Sequence, residues 1–215
     1  MVVHLLDTFE EMATFLRLET VEFSNCTHFL GWVVFPTPSG LFSPSIKGQM
    51  AALATAEVCD ANTGLLASGD LRVLHPGFKI YGRSRAFFGP IVTLKVFEDN
   101  VLVRELLETR GDGRVLVIDG GGSIRCALVG GNLGQLAQNM GWSGILVNGC
   151  IRDVDEINGC DIGVRALASH PLKSNKKRIG EMHVPIHIGG TLIRDGEWLY
   201  ADSDGILISK TELSI

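Results

Sequence analysis

Three things are scarce in this sequence, and each removes a class of protein. The five cysteines (Cys26, Cys59, Cys126, Cys150 and Cys160) are odd in number and form no CxxC pair, so a reducing compartment, the cytoplasm, fits best. No apolar run approaches the roughly 20 residues that span a bilayer, so no membrane association is expected. Basic residues are outnumbered, 19 Lys and Arg against 24 Asp and Glu for a net charge of −5. A sequence pI near 5.7 argues against a general nucleic-acid binder, and no direct nucleic-acid partner is expected. Lys173-Ser174-Asn175-Lys176-Lys177-Arg178 is a local exception, read as a solvated loop or a partner contact.

Several familiar chemistries are missing too. Gly120-Gly121-Gly122-Ser123-Ile124 lacks the GxGxxG spacing of a dinucleotide fold, and no glycine run leads into Gly-Lys-Ser/Thr. Ser123 is followed by Ile124 and Arg125, which excludes the GxSxG elbow. His183 and His187 flank Pro185, so they read as residues on one strand, roughly 13 Å apart at about 3.3 Å per residue and too far to share a metal.

What is present suffices for one sizeable core. The chain has 215 residues with 46% hydrophobic content, which fits a single domain with an appendage. The first 49 residues stand apart: five acids face only Arg17 and Lys47, and a Pro- and Ser-rich stretch runs from Phe35 to Ser45. They match neither a transit peptide nor a secretory signal. Asp7 to Leu18 suggests a helix and Phe29 to Phe35 a strand. Met50 opens a plausible alternative start. The expectation is a dispensable extension over residues 1–49, of the kind a gene-model artefact produces, ahead of a domain over residues 50–215.

Within that domain, helical periodicity covers Ala51 to Leu66 and Val101 to Thr109. Lys79 to Arg85 and Ile91 to Phe97 read as paired strands separated by Gly89-Pro90. Val115 to Ile118 and Ile145 to Val147 are buried-strand runs, each followed by a polar, glycine-bearing turn. Between them Asn132 to Met140 is helical and is stopped by Gly141. Further short strands are expected at Ile162 to Ala168, Val184 to Ile188, Thr191 to Ile193 and Ile206 to Ile208. An α/β protein with a layered sheet and few helices follows, its ligand site where the central strands end.

At those strand ends two groups stand out. Gly130-Gly131-Asn132-Leu133 opens a helix, whose unpaired amides and dipole can seat a carboxylate. Arg152 follows the next strand and offers a planar fork of donors to a carboxylate or keto-acid. Beside it Asp153 offers hard oxygen to Mg²⁺ or Mn²⁺, ions that keep several waters and take only one or two protein carboxylates. Asp155 and Glu156 could hold those waters.

Four segments carry a resemblance: Val117 to Arg125 (VIDGGGSIR), Gly130 to Leu133 (GGNL), Gly149 to Glu156 (GCIRDVDE) and Tyr200 to Ile206 (YADSDGI). Together they resemble the family uniting the regulator of ribonuclease activity A with the 4-hydroxy-4-methyl-2-oxoglutarate aldolases, over about Ala52 to Leu213 and nearest to plant members. The resemblance implies a compact layered α/β/β/α sandwich assembled as a homotrimer, its active site near the subunit interface. It implies metal-dependent cleavage of 4-hydroxy-4-methyl-2-oxoglutarate to pyruvate and decarboxylation of oxaloacetate through a shared pyruvate enolate. Gly130, Gly131, Asn132 and Leu133 would bind the pyruvyl carboxylate, Arg152 would contact substrate oxygens, and Asp153 would ligate the divalent metal. Arg152 and Asp153 are thus the candidate catalytic residues.

One departure stands against that pattern. Where such aldolases carry an acid that works through water, this chain has Gly131, and the Asn132 carboxamide does not accept a proton near pH 7. Decarboxylation needs no hydroxyl proton removed. The alternative function is that of a non-catalytic regulator that binds and inhibits an RNA-degrading endonuclease through protein contacts. Asp153 separates the two, because the regulator's pattern has a neutral residue after the arginine.

Overall fold

The computed structural model describes residues 54–214; the extension expected over residues 1–49 lies outside the described residues. The organising strand is β3 (Phe87–Val96), the longest of twelve among the described residues. Its first half, Phe87 to Pro90, pairs antiparallel with β11 (Trp198–Ala201), and its second half, from Ile91, pairs parallel with β4 (Val115–Asp119). Two unlike half-sheets therefore share one strand. The antiparallel half continues through β12 (Ile206–Ser209) to β1 (Leu71–Val73). In the parallel half β4 pairs with β6 (Gly144–Ile151), which pairs with β7 (Gly163–Ser169) and with the short β5 (Ala127–Val129). β2 (Lys79–Tyr81) closes that side antiparallel to β7, and β8 (Gly180–Met182) pairs with the end of β3. A separate hairpin joins β9 (Ile186–Ile188) to β10 (Thr191–Ile193).

Runs such as Val-Leu-Val-Ile in β4 are apolar at every position because both faces of the parallel half are covered. One face, through Leu94, Leu116 and Val147, packs on α3 (Val101–Leu107), α4 (Gly131–Asn139) and α5 (Val154–Gly159). The other, through Val115, Val117 and Leu146, packs on Leu199 and Ile208 of the antiparallel half and on the β9–β10 hairpin. Behind the antiparallel half, Leu71, Tyr200 and Leu207 pack on α1 (Thr55–Ala61) and α2 (Thr63–Ser68). The order of layers is helices, sheet, sheet, helices. None of the helices described is long and apolar enough to cross a membrane.

Several expectations need correction. Gly89-Pro90 does not separate two paired strands: β3 runs through it, and β2 lies at the far edge beside β7. A Cβ at Gly89 would lie 2.1 Å from the Gly113 oxygen, so the glycine allows a close backbone crossing where the strand changes partners. The single helix expected over Ala51 to Leu66 is two short helices, broken at Asn62, whose side chain turns back to donate to the Val58 carbonyl at 2.8 Å. The second ends at Gly69 in the left-handed conformation, φ 78°. His183 lies outside β9, in the left-handed region, and pairs with Asp195 at 3.0 Å, whereas His187 is on β9. Strands β1, β5, β8 and β11 and helix α5 carry too few residues to show a period.

The Tyr200-to-Ile206 segment turns out to be architectural. Asp202 closes the β11–β12 turn by accepting the Asp204 and Gly205 amides at 2.8 and 3.1 Å. It also reaches the start of α1, accepting the Thr55 amide and hydroxyl, both at 2.7 Å. Burial alone would raise its carboxyl, but these donors outweigh burial and hold it below the ordinary range. A carboxyl depressed on folding contributes stability that is present above its unfolded pKa, about 3.9, and is lost as pH falls through the lower folded value. Asp202→Ala is expected to cost about 1–3 kcal/mol in urea unfolding at pH 7 through lost hydrogen bonds. Its deficit against the parent should shrink as pH drops below about 4; an unchanged deficit would contradict the assignment.

Candidate active site

Strands β4, β5 and β6 end together, and the loops that follow them build the site. At the end of β4, Asp119 accepts the Gly121 amide and the Asn148 side chain, both at 3.0 Å. The Gly120 and Gly122 amides donate to the Asn148 carbonyl at 3.1 Å each, which tucks the glycine loop over the end of β6. Farther along this loop, the Arg125 guanidinium and the Ser123 hydroxyl both bond Glu98 at 2.7 Å. Those donors hold the Glu98 carboxyl below its ordinary range. This cluster serves to pin the loop.

Gly130 follows β5 as the residue before α4, and Arg152 follows β6, its amide donating to the Val129 carbonyl at 2.9 Å. Adjacent parallel strands thus deliver the helix start and the arginine side by side. Asp153 comes next in the left-handed conformation, φ 56° and ψ 50°, and starts α5. Aspartate tolerates that region better than most residues, yet the strain is of order 1 kcal/mol. What it achieves is direction: the Asp153 carboxylate turns back to accept the Gly131 amide at 3.2 Å, while Arg152 Nε lies 3.4 Å from the same oxygen. The Asp153 carbonyl accepts the Ile157 amide at 3.0 Å, the first bond of α5.

The two glycines leave room that side chains would fill. A Cβ at Gly130 would lie 2.8 Å from the Asp153 carboxylate and 3.2 Å from Arg152 Nε. At Gly131 the contact would be far closer, 1.8 Å from the Glu156 carboxylate. Glu156, which the sequence suggested only as a holder of outlying water, therefore lies directly on the helix start. The signal was available as two glycines opening a helix next to an Arg-Asp-x-x-Glu turn, but the chain alone does not say which acid faces which glycine.

Of the amides expected to bind a substrate carboxylate, Gly131 is paired with Asp153 and Leu133 with the Gly130 carbonyl at 2.9 Å. The Asn132 amide remains as a first-turn donor that the helix itself cannot pair. Arg152 has its side chain 39% exposed and Asp153 37%, so both can meet a solute. Asp155 is exposed on the first turn of α5. Cys126, Cys150 and Cys160 are free and buried, and burial pushes each thiol up, which keeps them protonated at neutral pH. Among the described residues no cluster of three or more His, Cys, Asp or Glu is arranged around a metal position. A cation here would be held by Asp153, with water completing its shell, the pattern of Mg²⁺ and Mn²⁺; the half-exposed carboxylate fits that role.

A family profile described as RraA-like, Aldolase/RraA, matches residues 55–208. A relative from Arabidopsis thaliana named "Putative 4-hydroxy-4-methyl-2-oxoglutarate aldolase 3" is 80% identical over 166 residues, 77% of this chain and 100% of the relative. Among solved structures, the "RNA-processing inhibitor RraA" from Thermus thermophilis superposes with a TM-score of 0.71 at 41% identity, over 75% of this chain and 95% of the other. An S-adenosylmethionine: 2-dimethylmenaquinone methyltransferase from Geobacillus kaustophilus, so titled, also gives 0.71 at 44% identity, over 75% of this chain and 97% of the other.

The left-handed backbone at Asp153 dictates how its side chain should be tested. Asn accepts that conformation almost as well as Asp, whereas Ala does not. Asp153→Asn should therefore melt within a degree or two of the parent. Asp153→Ala should lose about 1 kcal/mol more in denaturant unfolding. Equal stability of the two variants would show that the strain at residue 153 is negligible.

Proposed function

Because this chain belongs to the aldolase/RraA family, we propose that it is a divalent-metal-dependent carbon–carbon lyase. Its proposed reactions are cleavage of 4-hydroxy-4-methyl-2-oxoglutarate to pyruvate and decarboxylation of oxaloacetate. The observation that carries this reading is the convergence of Arg152 and Asp153 on the Gly130–Gly131 helix start, with Asp153 Oδ2 on the Gly131 amide. Support also comes from the aldolase name borne by a relative at 80% identity.

In this mechanism the helix start and Arg152 divide the anionic substrate between them. The Asn132 amide and the positive end of α4 attract the keto-acid carboxylate. Arg152 grips substrate oxygens through its planar fork, which a lysine cannot imitate. Asp153 is held at the helix start by the Gly131 amide and Arg152. Mg²⁺ or Mn²⁺ at Asp153 would supply Lewis acidity at the 2-keto oxygen. Both reactions leave the enolate of pyruvate, so one charge-stabilising site serves both. A homotrimer is part of the proposal; Phe97, Ile124, Leu172 and Ile179, each more than half exposed, offer apolar surface for it.

A second reading is favoured by the relative titled an RNA-processing inhibitor: an acidic regulator that docks on a ribonuclease. Pyruvate release from oxaloacetate distinguishes the two. Purified protein should exceed the metal-only rate in Mg²⁺, fall to background in EDTA, and lose at least about 100-fold in Asp153→Asn, which removes an electrostatic group of the kind worth 10²–10³. Turnover no faster than Mg²⁺ alone would sink the lyase and leave the regulator.

A further inference from the structure

We propose that Glu156 is the base of the carbon–carbon cleavage, acting from the space that a side chain at residue 131 would occupy. The proposal rests on the lyase reading above and adds the proton acceptor which that reading lacks. Its foundation is steric. A Cβ built on Gly131 would lie 1.8 Å from Glu156 Oε2 and 2.7 Å from both Cβ and Cδ of the same side chain. The Glu156 carboxylate thus fills the volume of the absent side chain, and Gly131 is buried beneath it while Glu156 itself stays exposed to solute.

Both carboxylates of the site meet at this one residue. Asp153 takes the Gly131 amide at 3.2 Å, and Glu156 covers the Gly131 α-carbon. They reach it from the start of α5, where residues three apart share a face. Their roles differ through their partners: Asp153 is held between the Gly131 amide and Arg152, the place of a fixed anion. Glu156 packs against Gly131 with its carboxylate beside the helix start, the place of a group that meets the substrate.

The chemistry requires such a group in only one of the two reactions. In aldol cleavage the 4-hydroxyl proton passes to the Glu156 carboxylate, the C3–C4 bond breaks, and the C4–O bond becomes a carbonyl. The bonding pair moves to C3 as the enolate of pyruvate. Glu156 then returns the same proton to C3, so two molecules of pyruvate leave and no co-reactant is consumed. Oxaloacetate loses CO₂ with no hydroxyl to deprotonate. Glu156 should therefore govern the ratio of the two activities, and this separates its failure from failure of the lyase reading.

The test uses the full chain with Mg²⁺ and measures pyruvate release from 4-hydroxy-4-methyl-2-oxoglutarate and from oxaloacetate. Glu156→Gln, Glu156→Asp, Glu156→Ala and the double variant Gly131→Asp/Glu156→Ala are compared with the parent, with thermal melting as the check on folding. Glu156→Gln should lower kcat for aldol cleavage relative to decarboxylation by on the order of 100-fold, with KM little changed. Glu156→Asp should retain part of the cleavage. In the double variant the new carboxylate occupies the vacated space, and cleavage should recover about tenfold over Glu156→Ala, within the range a positioned base contributes. An unchanged ratio in Glu156→Gln, or a parent that decarboxylates without cleaving the aldol substrate, would overturn Glu156 as the base and leave the lyase standing. A parent that turns over neither substrate would overturn both.

Discussion

The pairing of β3 with two different neighbours is the constraint on which the rest of the structure depends. Its first half belongs to an antiparallel ladder and its second to a parallel one, so the two half-sheets cannot drift apart without unpairing the strand they share. Phe87 fixes the change of partner. Cβ atoms at Gly144 and Gly163 would lie 2.2 and 2.0 Å from its ring, so those glycines make the slot that holds it. Arg165 stacks on the same ring at 5.2 Å and donates to the Arg85 and Asp202 carbonyls. Burial is the main cause that pushes its guanidinium down to about 10, still well above neutral pH. A buried cation with only carbonyl acceptors adds little net stability, but it ties β7 to two loops across the layer boundary.

From that frame the site follows with few further choices. Parallel pairing of β4, β5 and β6 places their ends at one level, which is why a glycine loop, a helix start and an arginine meet there. Glycine is used for absence at residues 130 and 131, since what matters is the volume left to the Asp153 and Glu156 carboxylates. Left-handed backbone at a non-glycine residue is tolerated at Asp153 because it turns a carboxylate toward a helix amide. Strain of this kind is stored where it directs a functional group.

Much of this was legible before any coordinates. Apolar runs ending in glycine identified β4 and β6, and Gly141 marked the end of α4, because burial on both faces and left-handed caps leave unambiguous residue patterns. Gly130, Gly131, Arg152 and Asp153 were legible as one constellation, since strand ends and helix starts converge in such folds. Other features were not. Gly89-Pro90 reads as a break in any local window, and only the crossing at Gly113 shows why the strand continues through it. Likewise the tie from the Asp202 turn to the start of α1 does not show in sequence, because Thr55 lies 147 residues away. Such long-range hydrogen bonds have no local period.

The same limit explains why the chain looked deficient at residue 131. Counting acids along the sequence finds glycine where a carboxylate is wanted and scores a loss. In space the question is which oxygen lies near the helix start, and Glu156, 25 positions later, reaches it from the neighbouring helix. An acid that is moved in sequence but kept in place costs the site little if its new anchor is rigid. Here the anchor is α5, whose Ile157 is fully buried and which is followed by the nearly buried Cys160. A side chain on a packed helix loses less freedom on orienting than one on an open loop, so Glu156 should be at least as well positioned as the residue it stands for.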